Sequence, residues 1–100
     1  MGFKRYVNND VVLSQNIITC PVGTVITVIG TTVANVTGNL TTVTVKAAGA
    51  NILKDVEIGR GSAIVPIGGE QKVVLTAGDT LTVSANFAVD VIASVLEQTV

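Results

Sequence analysis

The chain has 100 residues, six Lys and Arg against seven Asp and Glu, no histidine, no tryptophan and one cysteine. That length suits one domain, with a folded surface of ~5,300 Å² against ~14,800 Å² extended. Only 13% of residues are charged, about half of the ~25% usual for soluble domains. The composition therefore argues against a basic nucleic-acid surface, histidine-based catalysis and an intrachain disulfide.

The 19 Val, 9 Ile and 13 Thr make 41 residues β-branched, a chemistry that crowds a helix and fits a pleated sheet. Phe3 to Tyr6 reads as a short cationic-aromatic arm, either an edge strand or a tail. Asn8-Asn9-Asp10 reads as a turn, and Val11 to Thr19 as a strand with a polar interruption, closed by Cys20-Pro21-Val22-Gly23. Thr24 to Ile29 is apolar or Thr on both faces, as a central strand requires. Gly30 to Asn39 reads as a loop that could hold a short strand. Leu40 to Ala47 alternates, with Lys46 marking the solvent side. Ala48 to Asn51 is a hairpin connection, followed by a strand over Ile52 to Ile58.

Gly59-Arg60-Gly61 turns the chain into Ser62 to Ile67, where Pro66 marks an edge or a strand end. After Gly68-Gly69 come a strand at Gln71 to Leu75 and the turn Thr76-Ala77-Gly78-Asp79, in which Gly supplies positive φ and Asp caps the backbone. Thr80 to Ala85, a bend at Asn86 and a longest strand over Ala88 to Glu97 complete the chain, with Phe87 expected in the core. These segments predict an all-β, antiparallel β-sandwich, immunoglobulin-like or jelly-roll-like, of about eight short strands. Residues 1–10 form its arm or edge strand and residues 11–100 the single sandwich domain.

No chemistry-bearing cluster stands out. Asp55 and Glu57 share a strand face, which reads as solvated and balanced by Lys54 and Arg60. Gly68-Gly69-Glu70-Gln71-Lys72 lacks the spacing of a phosphate loop. Cys20 and the serines have no histidine to activate them, so Cys20 is expected as a small buried hydrophobe. The expectation is no enzyme activity, no catalytic, metal or cofactor site, and no nucleic-acid or membrane partner. Asn8, Asn9 and Asp10 break any apolar export segment, and the Asn35 and Asn39 glycosylation patterns read as chance products of a Thr-rich chain. The candidate partner interface is Phe3, Arg5 and Tyr6, whose aromatics and Arg suit an interface centre, together with Arg60 on its turn tip.

From Asn51-Ile52-Leu53-Lys54-Asp55-Val56 onward, the chain resembles small accessory structural proteins of tailed bacteriophages. The resemblance rests on Gly61-Ser62-Ala63-Ile64-Val65-Pro66, on Val74-Leu75-Thr76-Ala77-Gly78-Asp79-Thr80-Leu81-Thr82-Val83, and on the closing Ser94-Val95-Leu96-Glu97. It covers about the second half of the chain. The resemblance implies a virion component made in the host cytoplasm, foremost a decoration (cement) protein bound to the major capsid protein across capsomer junctions. It also implies a homo-oligomer, with a trimer expected. A neck or tail component and a receptor- or carbohydrate-binding module are the alternatives.

Overall fold

The structure, a computed structural model, describes residues 2–68 and 71–99. It is all-β and antiparallel, with seven strands in one sheet curled into a half-barrel. The strands are β1 (Gly2–Thr19), β2 (Thr24–Asn35), β3 (Thr41–Ala47), β4 (Ala50–Ile58), β5 (Ala63–Ile67), β6 (Val73–Leu75) and β7 (Thr80–Thr99). The predicted fold class therefore holds. Its strand inventory is less even than expected, because two strands of 18 and 20 residues run the length of the molecule.

These long strands, β1 and β7, pair with each other from Gly2↔Glu97 to Thr19↔Thr80. On its other edge β7 takes two successive partners: β3 along Leu81 to Ala85, then β2 along Val89 to Thr99. The sheet thus has two wings that share β1 and β7. One wing is completed by β2 with β5 and β6, and the other by β3 and β4. Strands that pass from one wing to the other make the corner of a folded sheet.

The corner explains why the expected turn at Asn8-Asn9-Asp10 is instead a bulge inside a continuous strand. The register shifts between Asn8, Val11 and Leu13, and Asp10 and Leu13 take φ of 55° and 63°. An Asp tolerates this left-handed backbone better than most residues, and a bulge bends its strand without ending it. The amide of Asp10 donates to Asp90 Oδ1 at 2.9 Å, fixing the bend to β7. On β7 the corner falls at Asn86 and Phe87, where Asn86 Oδ1 accepts the Thr42 amide at 2.7 Å. The buried Thr41 hydroxyl accepts the Phe87 amide at 3.0 Å and lies 2.9 Å from the Phe87 carbonyl. Phe87 itself is a correction to the sequence reading. Its side chain is exposed at the corner, outside the core.

Elsewhere local chemistry acts as read. Ala48 and Gly49 have φ of 52° and 81°, the positive pair that a two-residue hairpin needs to match strand twist. Asp79 Oδ2 accepts the Thr76 amide at 3.0 Å, and Gly78 takes φ of 84°. Pro66 lies on β5, which among the described residues pairs only with β2. Part of the glycine segment expected as a turn, Gly69 and Glu70, lies outside the described residues. Residues 30–35, read as part of a loop that could hold a short strand, extend β2. That strand ends on Asn35, whose buried amide donates to the carbonyls of Asn39 at 2.7 Å and Ile58 at 3.0 Å. Asn35 is therefore a structural link between β2, the following loop and β4.

Inward side chains of both wings meet in one core. Ile26, Val28 and Val33 of β2 join Val43 and Val45 of β3 and Val89, Val91 and Val95 of β7, all fully buried. Each such side chain stabilises the fold by roughly 1.5–3 kcal/mol. Cys20 belongs to this core as expected, with its Sγ 3.2 Å from the Thr24 carbonyl. The exposed surface of 5377 Å² is close to the ~5,300 Å² of a compact monomer of this mass.

Among the described residues one buried polar side-chain atom lacks a partner: Thr31 Oγ1, on the inward face of β2. A buried hydroxyl without a hydrogen bond is destabilising, and an apolar group of the same shape removes that cost. Thr31→Val is expected to raise the unfolding free energy by about 1 kcal/mol in urea titrations. A loss of stability of that size would show that the hydroxyl has a partner in solution.

Candidate partner interface

Three of the interface candidates, Phe3, Arg5 and Tyr6, lie on β1, an edge strand that among the described residues pairs only with β7. Side chains alternate across a strand, so the cationic-aromatic segment divides between two faces. Phe3, Arg5 and Val7 point outward, opposite Leu96, Ser94 and Ile92 of β7. The next strand continues these rows with Thr27, Gly30 and Thr32 of β2, and Val74 of β6 follows Thr27. The result is an outward sheet face with two apolar rows on either side of Arg5, Ser94 and Gly30. Phe3 is 80% exposed, Val7 52%, Ile92 47% and Val74 57%.

Tyr6 lies on the opposite face of β1 and does a different job. Its ring packs against the core, and its hydroxyl donates to Glu97 Oε1 at 2.6 Å. Lys4 reaches the other carboxylate oxygen, with Nζ 2.7 Å from Glu97 Oε2. Glu97 is thus clamped between an ammonium and a phenol. The Lys4 contact, followed by the Tyr6 hydrogen bond, holds its carboxyl below the usual range. The Glu97 hydrogen bond, followed by burial, pushes the Tyr6 phenol up to about 12. This cluster fastens the start of β1 to the end of β7 and so keeps the outward face of Phe3 and Arg5 flat against its neighbours.

Arg60 stands apart from this face. It is exposed on the turn after β4, which is closed by the Ser62 amide donating to the Gly59 carbonyl at 3.1 Å. That turn sits beyond the far end of β2, where the Asn35 amide donates to the Ser62 carbonyl. The structure therefore brings Phe3 and Arg5 together and places Tyr6 and Arg60 elsewhere. Sequence reasoning missed Val7, Ile92, Leu96 and Val74. The alternation of β7 carried a signal for two of them, since Ile92 and Leu96 have the opposite parity to Val89, Val91 and Val95. With both parities apolar, pattern alone does not say which side faces the core.

Among the described residues no group of three or more His, Cys, Asp or Glu gathers to hold a metal ion. No family model matches the chain, and neither the curated proteins nor the solved structures contain a significant match.

The clamp has a calculable pH signature. Because the Glu97 carboxyl is lowered in the fold, its stabilisation is complete above the ordinary carboxylate range and fades as pH falls through the folded value. Because the Tyr6 phenol is raised, its stabilisation is complete below 10.0 and is lost as pH climbs toward about 12. Tyr6→Phe is expected to lower stability by about 1–2 kcal/mol near neutrality. That difference should shrink below about pH 4 and above about pH 10 when urea unfolding is followed across pH. Equal stabilities at neutral pH would show that the hydrogen bond contributes nothing.

Proposed function

We propose that this protein is a non-catalytic structural component of a tailed-bacteriophage virion, a decoration protein that binds the head surface and bridges neighbouring capsomers. The observation that carries this reading is the outward face of β1, β7 and β2, where Phe3, Val7, Ile92 and Leu96 surround Arg5. A chain that keeps two such rows of apolar side chains open to water is suited to covering them with a neighbour. Phe3 and Arg5, on the β1 edge of this face, are residue types enriched at interfaces. The low charge of the chain adds to the argument, since little charge must be desolvated on docking. The resemblance of the second half of the chain to phage accessory proteins supplies the setting.

In this reading the mechanism is mechanical. Copies bind the expanded shell, each contact is modest, and symmetry multiplies the contacts into a stable layer. The major capsid protein is the partner and the virion surface the location. The absence of histidine and the burial of Cys20 support a non-catalytic role.

The test is quantitative mass spectrometry of purified particles, paired with cryo-electron microscopy. A decoration protein is expected in hundreds of copies per head, whereas a neck or tail component is present in roughly a dozen. Phe3→Asp and Ile92→Asp, at exposed positions with little folding cost, are expected to cut incorporation at least about tenfold, as a loss of about 1.4 kcal/mol would. Particles that lack the chain, or incorporation unchanged by both substitutions, would overturn the reading.

A further inference from the structure

The second wing carries a feature that the proposed docking face does not use. A shallow, open cavity of about 360 Å³ lies on its outward side, where β1, β7, β3 and β4 lie next to one another. Ala85 and Ser84 of β7 and Thr42 and Thr44 of β3 line it from the sheet. Leu13 contributes from β1 and Asp55 from β4. Both of these are non-glycine residues with left-handed backbone, at φ of 63° and 52°. Each stands beside a register shift, and bulges of this kind re-aim a side chain from its place in the pleat.

The cavity sets Leu13, Ala85 and the threonine methyls beside hydroxyls, the Asn86 amide and one carboxylate. The Asp55 amide donates to Thr44 Oγ1 at 3.0 Å, and that hydroxyl lies 3.3 Å from Asp55 Oδ1. This holds the carboxylate over Thr44 while leaving Oδ2 without a protein partner among the described residues. The ion pair found among those residues, Lys4 with Glu97, is elsewhere. Lys46 follows Thr44 by two positions on the same face of β3, and Lys54 precedes Asp55 on β4, yet neither closes on the carboxylate. An aliphatic stem ending in a cation matches this lining: methylenes against Leu13, Ala85 and the threonine methyls, and a charged head on Asp55.

Arg60 is the matching group. It projects from a turn whose neighbours are both glycine, with Gly61 at φ of 67°. It is exposed and has no acidic partner among the described residues. Its planar head can fork onto a carboxylate, which an ammonium cannot do. Within one chain the two groups do not pair: Asp55 lies within β4 and Arg60 on the turn after it, and the ion pair found among the described residues is Lys4 with Glu97.

We propose that Arg60 of one copy enters the Asp55 cavity of a second copy, giving a contact between identical chains. Knob and hole lie at different places on the surface, so the contact is either returned across a two-fold axis, closing a dimer, or repeated head to tail, closing a ring where the rotation between copies allows it. The pairing needs only a second copy of the chain and does not rest on the particle proposed to carry it.

The experiment is sedimentation velocity of the purified full chain, with circular dichroism to confirm that each variant folds. The wild type is expected to form a closed oligomer at micromolar concentration that weakens in high salt. Asp55→Arg and Arg60→Asp are each expected to weaken association at least about tenfold. The double variant, with the charges exchanged, is expected to recover it. If Asp55→Arg fails to fold at its left-handed position, Asp55→Asn keeps that backbone and the Thr44 contact while removing the charge. With Arg60→Ala it then carries the test, both reducing association. A wild type that stays monomeric, single variants that associate normally, or a folded exchange variant that does not recover would each overturn the pairing. Absence of the chain from virions overturns the decoration role and leaves this pairing standing.

Discussion

Everything in this molecule depends on β1 and β7 pairing along their full length. The partners are distant in sequence, Gly2 opposite Glu97 at one end and Thr19 opposite Thr80 at the other. Closing so long a loop costs conformational entropy before any contact rewards it. The two long strands then supply what the shorter ones lack. β3 and β2 reach the sheet only through β7 and never pair with each other among the described residues. Without β7 each wing would be a small ribbon, and isolated ribbons of two strands are marginal in water.

The shared strands also decide what the surface can do. Bending β1 and β7 at Asp10 and Asn86 turns the inward faces of both wings toward one core. It leaves two outward faces of different chemistry. On the wing of β2, Phe3, Val7, Ile92 and Leu96 make an apolar face. On the wing of β3, Thr42, Thr44, Thr82 and Ser84 make a face of hydroxyls around one carboxylate. The two faces therefore offer a neighbour different kinds of contact, apolar on one wing and polar on the other.

Much of the fold was legible in the residues. The β-branched composition reads as strands, the Ala48-Gly49 and Ala77-Gly78 turns follow from backbone freedom, and the alternation around Lys46 assigns the solvent side of β3 correctly. The errors share one physical origin. Asn8-Asn9-Asp10 and Asn86 are turn-forming residues by local preference, and here they serve as bends inside strands held straight on by a distant partner. Local chemistry shows that the backbone changes direction, but not whether pairing continues afterwards. Phe87 was misplaced for the same reason, since a corner puts its ring outside the core. The interface was half legible. Phe3 and Arg5 share a face, whereas Tyr6 turns inward to Glu97, a residue 91 positions away that no local pattern connects to it.

The claim that one strand pair unites both wings is tested most directly by native-state hydrogen exchange on the purified protein. If β7 is a common spine, its buried amides in the first half, around Leu81 and Val83, and in the second half, around Val91 and Val95, open with the same free energy. That free energy equals the global value from denaturant unfolding, and both halves share one dependence on denaturant. Two distinct opening energies, with one half of β7 exchanging while the other stays protected, would show that the wings are separate cooperative units and contradict the account.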